Sequence, residues 1–280
     1  MSESSKDSFW SHVEVLRWIL LRCLLVVLGI AIAVFFFKDF VFDNIILAPC
    51  QSNFITYSVL CQLGNMLSMP NLCPEMQEIH VININLAAQL FTHLSISFYI
   101  GLIIGFPYLM VEFWLFAKPA LYPKEKKPAV KGVFSFVILF FTGILTAYYI
   151  IFPLTLNFLG TYHVSQSIEN QISLNSYMDT FLTLIFMLGL VFEMPIIAYF
   201  FAKIGLLKSS FLSKYRKISI VIILILAAFI TPSTDAFTML LVAFPLQLLY
   251  ELSRTVVKRV EKKEVVSDRF QIVQKSTSNF

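Results

Sequence analysis

A glutamate and a proline interrupt an apolar run near the middle of the second half of the chain, in Phe192-Glu193-Met194-Pro195. A carboxylate inside the hydrocarbon of a bilayer costs on the order of 3 kcal/mol. Glu193 is therefore expected to face a polar cavity, water or a partner. Pro195 cannot donate to the carbonyl of Val191, which adds backbone polarity beside the carboxylate. The pattern predicts a functional or partner-binding position within the membrane.

The residue patterns of common enzymes are missing from the sequence. The four histidines show no metal-ligand spacing, and there is no Cys-x-x-Cys, no phosphate-binding glycine loop and no Gly-x-Ser-x-Gly elbow. Asp179 and Asp235 lack the partners that an intramembrane protease needs. We expect neither an enzyme nor a metal or organic cofactor.

Three of the four cysteines, Cys50, Cys61 and Cys73, lie in one segment between apolar runs. In an oxidising compartment two of them could form a disulfide. Cys61 with Cys73 is the favoured pair because the two are near each other in sequence. Three reduced cysteines are an equally good interpretation, so the sequence leaves both states open. Cys23 lies within an apolar run and is expected to serve helix packing.

Composition places these residues in a membrane protein. Of the 280 residues, 58% are apolar and only 14% are charged, a balance far from that of soluble domains. About 20 apolar residues span a bilayer as a helix. We predict an all-α integral membrane protein with a single six-helix domain at 1–255 and a basic tail at 256–280. The predicted spans are 18–37, 86–116, 132–152, 177–202, 218–230 and 236–250, with an outer loop at 39–85.

The last two predicted spans are short. Runs of 13 to 15 residues reach only about 20 to 23 Å as helices and would thin the bilayer locally. The turn between them contains Thr231, Pro232 and Asp235, which predicts a tight helical hairpin.

Basic residues alternate between loops. Lys and Arg cluster in 118–131, in 203–217 and after residue 253, whereas 39–117, 153–202 and 218–253 contain none. Because short cytoplasmic loops carry the excess of Lys and Arg, both termini are predicted to be cytoplasmic. This distribution explains the net charge of +4 without a nucleic-acid partner.

Several motifs resemble those of one family. Ser11-His12-Val13-Glu14-Val15-Leu16-Arg17 is similar to the His-Leu-x-Glu-Leu-Arg signature that opens TatC proteins. Pro107, the run 113–122 and Glu125 are similar to the family's second span and first cytoplasmic loop. Glu193 with Pro195, the Thr231-Pro232 turn with Asp235, and Pro245 with Tyr250-Glu251 follow in the family's order. The likeness covers residues 9 to 255. The family glutamate aligns with Val15, so the carboxylate of Glu14 is one residue earlier.

The resemblance implies a fold and a function. It implies six tilted helices forming a concave, glove-like wall with short fifth and sixth helices. It also implies the receptor and core subunit of the twin-arginine translocase. Such a subunit binds the twin-arginine signal peptides of folded passengers and recruits TatA-type subunits, with or without a TatB-type partner. Export is then driven by the proton-motive force.

The resemblance also implies roles for individual residues. Carboxylates are the natural readers of two adjacent guanidinium groups, since the hydrogen bonds are charge-assisted and often bidentate. The signal-binding residues are then Glu125 and Glu14, with His12, Arg17 and Phe116 beside them. The residues that contact the inserted signal or a TatA-type helix are then Glu193, Pro195, Thr231, Pro232 and Asp235.

One alternative function is a secondary transporter that uses Glu193 as a proton or ion site. Transporters often show repeated halves, and spans one to three do not resemble spans four to six. We therefore favour the translocase subunit. Its expected location is a bacterial inner membrane, in contact with lipids and with further copies of itself.

Overall fold

The computed structural model describes residues 3–66, 68, 81–117, 126–162, 165, 170–231 and 235–277. Side chains are described within 13–66, 68, 81–116, 132–162, 165, 170–231 and 235–262. Over these residues the protein is almost entirely helical, and the chain divides into two compact units, Met1–Phe186 and Met187–Phe280.

The first unit contains the N-terminal helices and an elaborate segment between the first two long ones. Its long helices are α1 (Glu3–Phe36), α4 (Ala88–Ala117), α5 (Lys126–Thr146), which continues through a π-helical turn (Ala147–Ile151) into α6 (Phe152–Thr161), and most of α7 (Leu174–Val191). Between α1 and α4 lie α2 (Lys38–Val41), a π-helical turn (Phe42–Ile46), a 3-10 turn (Ala48–Cys50) and α3 (Ile55–Met66). Two short parallel strands, β1 (Val81–Ile82) and β2 (Ile172–Ser173), pair Val81 with Ile172.

The second unit contains the C-terminal helices. They are α8 (Met194–Lys203), α9 (Ser209–Lys214), α10 (Arg216–Ile230) and α11 (Ala236–Thr277). Helix α11 packs against α8, α9 and α10, so it is the central element of this unit.

Five stretches of the described chain are long and apolar enough to cross a membrane: Val13–Phe36, Ala88–Phe116, Gly132–Thr161, Leu174–Lys203 and Ala236–Lys262. They coincide with five of the six predicted spans. The remaining predicted span, the fifth at 218–230, lies in helix α10, which has 15 residues, as its short apolar run predicts.

Three of the observed helices differ from the predicted spans. The third span continues beyond residue 152 to Thr161, and Pro153 lies in the first turn of α6. The fourth is interrupted, since α7 ends at Val191 and α8 begins at Met194. The sixth belongs to a helix of 42 residues rather than a short one, because no Gly or Pro follows Glu251 to end it.

Candidate functional site

Helices α1 and α4 form a close antiparallel pair. A Cβ atom added to Gly101 would lie 2.8 Å from the carbonyl oxygen of Val27 and 3.1 Å from the Cβ of Ala31. Only a glycine allows the backbones to approach this closely. At the other end of the pair, His93 stacks on Phe35 and its Nε2 donates to the Phe35 carbonyl at 3.1 Å. Gly101 and Gly105, which form a Gly-x-x-x-Gly sequence, therefore mark packing within the chain.

A buried carboxylate lies further along the same pair. Glu112 of α4 is only 7% exposed, and its Oε1 accepts a hydrogen bond of 2.7 Å from the Tyr108 hydroxyl. Arg22 of α1 approaches the same oxygen to 3.9 Å. Glu112 lies near the end of a span, where a carboxylate could reach water, yet the structure buries it. The signal in the sequence that could have revealed this contact is Arg22, an opposite charge inside the first predicted span.

The register of the pair brings several predicted signal-binding residues to one end. Phe116 lies one turn beyond Glu112, and Trp18 lies one turn before Arg22. Continuing the antiparallel register from the Arg22–Glu112 contact therefore places Phe116 level with the turn that contains Arg17, and Glu14 one turn further along. Glu14 and Arg17 are both exposed, and Phe116 is half-buried. The α1 helix includes His12, but the side chain of His12 and the whole of Glu125 lie outside the described residues.

Glu193 occupies the break between α7 and α8. Its side chain is 5% exposed, and it is the residue that precedes the first turn of α8, where Pro195 also lies. Its carbonyl oxygen accepts from the amides of Ile196 and Ile197 at 3.1 and 3.0 Å. Pro195 thus lies at the start of a new helix, α8, and not at a kink within one continuous helix.

The hairpin residues have local structural roles. Thr231 is buried and its hydroxyl donates to the Ala227 carbonyl at 2.9 Å. Asp235 caps α11, since its Oδ1 accepts from the backbone amide of Thr238 at 2.7 Å. Pro232 lies outside the described residues.

In the second unit, the segment before α10 is fastened to α11. The Glu261 carboxylate accepts from the backbone amide of Ser209 at 2.8 Å and from its hydroxyl, and the Tyr250 hydroxyl donates to the Leu212 carbonyl at 2.7 Å. Glu251 pairs with Arg216 at 2.6 Å and Arg254 at 2.9 Å. Glu251 and Arg254 form an i,i+3 pair on one helix. The other contacts join residues 35 to 52 positions apart, and no spacing rule could have found them.

The described cysteines differ in oxidation state. Cys61 is in a disulfide, whereas Cys23 and Cys50 are free and buried. Cys73 lies outside the described residues, so the Cys61–Cys73 pair remains a prediction. Burial raises the pKa of the Cys50 thiol and of the Tyr57 phenol, so both remain protonated at neutral pH and Cys50 is a poor nucleophile.

Within the described residues, no three His, Cys, Asp or Glu side chains are grouped so that they could hold a metal ion. The polar features of this part of the chain are single carboxylates at helix ends, helix breaks and helix contacts.

Comparison with known proteins identifies the family. Residues 11–245 match the model of the family described as Sec-independent protein translocase protein (TatC). The chain belongs to the TatC family. It is a component of a protein translocase and not an enzyme. Because the family is a protein translocase family, the secondary-transporter hypothesis is rejected.

Individual relatives share most of their length with this chain. The TatC protein of a Blattabacterium from Periplaneta americana is 33% identical over 94% of this chain and 99% of its own. That of Aquifex aeolicus is 36% identical over 67% of this chain and 78% of its own. A crystal structure of the twin-arginine translocase receptor TatC superposes with a TM-score of 0.67 and 31% identity, covering 89% of this chain and 99% of that one. A second, determined in the detergent DDM, gives a TM-score of 0.69 and 30% identity, covering 88% of this chain and 98% of that one.

Proposed function

We propose that this chain is the receptor and core subunit of a twin-arginine translocase, which binds the signal peptides of folded passengers on its cytoplasmic side. The observation that carries the proposal is the register of α1 and α4. It brings the turn of Arg17 level with Phe116 and Glu14 one turn further along, at the end of α4 from which the chain continues to Glu125.

In this site Glu125 and Glu14 bind the two arginines of the signal. Each guanidinium can form two parallel hydrogen bonds with a carboxylate, which a lysine ammonium cannot. Phe116 supplies an apolar and aromatic surface beside them, on which a guanidinium can stack. Arg17 and His12 complete the site from α1 and hold the carboxylates in position.

The topology belongs to the same proposal. Six spans, with α10 as the short fifth, make up the membrane domain over residues 1–255 and place both termini and the 256–280 tail in the cytoplasm of a bacterial cell. The support is the alternation of basic loops together with five helices of span length and one shorter helix between them.

A second contact region serves the partner subunits. Glu193, Pro195, Thr231, Pro232 and Asp235 meet a TatA-type helix or the inserted signal, and the movement of protons down their gradient drives export. The support is the buried carboxylate of Glu193 at a helix break inside a span. Charged groups at such positions mark polar pathways in membrane proteins.

The decisive experiment introduces a photoreactive residue at position 125 and exposes the complete complex to a passenger with either Arg-Arg or Lys-Lys in its signal. We expect crosslinks with Arg-Arg and at least a tenfold weaker yield with Lys-Lys, which corresponds to about 1.4 kcal/mol of lost recognition. Glu125→Gln, which keeps the shape and removes the charge, is expected to abolish export. Equal crosslinking of both signals with intact export would reject the assignment.

The position of the N-terminal carboxylate is tested by moving it. Glu14→Ala is expected to weaken signal binding, and the double change Glu14→Val with Val15→Glu rotates the carboxylate by about 100° around α1. If Glu14 reads an arginine from its present position, the double variant binds the Arg-Arg signal less well than the parent. Unchanged binding by both variants would remove Glu14 from the site.

A further inference from the structure

Helix α3 (Ile55–Met66) exposes two chemically different flanks. Four large apolar side chains on it are between 44% and 84% exposed, and three polar residues are exposed as well. The apolar flank consists of Ile55, Val59, Leu63 and Met66, and the polar flank consists of Ser58, Gln62 and Asn65.

The two flanks lie side by side. At 3.6 residues per turn the apolar flank covers an arc of about 80°, and the polar flank covers about 60° next to it. The buried residues Tyr57 and Gly64 lie on the opposite side. An exposed surface divided along the helix axis in this way suits a boundary between two solvents, one apolar and one polar.

Hydrogen bonds fix the level of α3 relative to the span Gly132–Thr161. The Thr56 hydroxyl donates to the Tyr149 carbonyl, and the Tyr57 hydroxyl lies 3.2 Å from the Pro153 carbonyl oxygen. These carbonyls are 17 and 21 residues beyond Gly132, or about 26 to 32 Å along the helix. Since the hydrocarbon of a bilayer is about 30 Å thick, α3 lies at the level where it ends.

Charge and aromatic residues agree with that level. Helix α3 contains no charged residue, and 39–117 contains no Lys or Arg, so insertion of one flank requires no charge to leave water. The three phenylalanines Phe36, Phe37 and Phe40 lie at the end of α1 and are at least 62% exposed. Exposed aromatic side chains at the end of a span are typical of the membrane interface.

We propose that α3 is an interfacial helix that binds phospholipid. Its apolar flank inserts among the acyl chains at the membrane face opposite the signal-binding end, and its polar flank contacts the headgroups. Lipid is favoured over a protein partner because four side chains form a stripe far smaller than the roughly 800 Å² that each partner of a stable protein complex buries. The hydrogen bonds from Thr56 and Tyr57 hold the helix at this depth.

The test places a photoreactive phenylalanine analogue at single positions of the full-length chain, reconstituted into vesicles of phosphatidylcholine and phosphatidylglycerol. The apolar flank is probed at Val59 and Leu63. The matched controls are Ser58 and Gln62, which are equally exposed and one residue away. After illumination, mass spectrometry of the intact protein detects adducts of phospholipid mass.

We expect phospholipid adducts at Val59 and Leu63 in several-fold excess over Ser58 and Gln62. Equal adducts at all four positions, adducts at none, or adducts at Val59 with a second copy of the chain would overturn the proposal. An intact Cys61 disulfide and an unchanged gel-filtration profile show that each variant is folded. Because the four positions are probed one at a time, misfolding of one variant leaves a test on the same flank.

Discussion

At the level of single residues, Glu112 shows how burial changes the meaning of a carboxylate. Glu112 has two partners, the Tyr108 hydroxyl and the Arg22 guanidinium. They differ in how much free energy they contribute to stability. A hydrogen bond to a charged group contributes about 1.5 to 3 kcal/mol, whereas an ion pair with a mostly exposed arginine contributes about 0 to 1 kcal/mol. The Arg22 side chain is 62% exposed, so Tyr108 is expected to be the more important partner.

This difference predicts an order of effects in detergent-solubilised protein. Tyr108→Phe should lower the free energy of unfolding by about 1.5 to 3 kcal/mol, because it leaves the buried carboxylate without its 2.7 Å donor. Arg22→Ala should cost less than about 1 kcal/mol. Thermal unfolding of the two variants measures the order, and a larger loss for Arg22→Ala would show that the ion pair dominates.

Among the predicted signal-binding residues, the sequence was informative only through its motifs. Glu14 and Arg17 are exposed residues on α1 with nothing in their surroundings to distinguish them from an ordinary solvated face. By contrast, Glu193 was detectable from physical cost alone, because a carboxylate in an apolar run is expensive wherever the helix lies. Arg22 and Glu112 escaped attention because the pairing depends on the register of two helices 90 residues apart.

At the level of elements, the α1–α4 pair depends on glycine at one position. Gly101→Ala should destabilise the protein by about 1 to 3 kcal/mol, since the new methyl group would lie 2.8 Å from a backbone oxygen that cannot move aside cheaply. The matched control is Gly29→Ala on α1, where nothing lies within 4 Å of the added atom. That change should be neutral or stabilising by up to about 1 kcal/mol.

Unfolding transitions of the two alanine variants, followed by circular dichroism, make the comparison. Equal stability of both variants would mean that α1 and α4 are less tightly packed than the structure shows. Since both changes add the same methyl group to a helix, any difference between them reports the helix contact and not helix propensity.

Elements were predictable where hydropathy alone defines them and unpredictable where local backbone chemistry does. The five long spans follow from apolar runs. The end of α7, three residues before the Met194 start of α8, follows from how Pro195 is accommodated. A proline inside a helix can equally be tolerated, as Pro107 is within α4. The end of α11 is invisible to hydropathy because its last third is partly polar, yet it contains no Gly or Pro that would end the helix.

At the scale of the whole molecule, the basic loops predict which residues face the cytoplasm. Cysteine introduced in place of Lys208 should react with a membrane-impermeant maleimide only after the cells are permeabilised. Cysteine in place of Leu86, which is fully exposed next to α4, should react in intact cells. The reverse pattern would invert the proposed topology, and labelling of the parent chain controls for the native cysteines, of which Cys23 and Cys50 are free and buried.

The architecture as a whole was accessible from the sequence because a bilayer permits few solutions. In hydrocarbon every backbone group must be bonded internally, so apolar runs of sufficient length become helices and charge decides their direction. The α3 segment was expected only as an outer loop, since a short helix there depends on its hydrogen bonds to Tyr149 and Pro153. Such contacts exist only once the rest of the chain has folded.

The length of α11 has a practical consequence for attaching probes. At 1.5 Å per residue its 42 residues extend for about 63 Å, twice the hydrocarbon thickness of about 30 Å. Glu261, which accepts hydrogen bonds from Ser209, lies 16 residues before the last helical residue, Thr277. A fluorophore or affinity label at the end of this rod would be held about 24 Å beyond Glu261. The end of α11 therefore acts as a rigid spacer between the protein and a label. Removing whole helical turns would shorten the spacer by known amounts, so that distances in the assembled translocase can be measured.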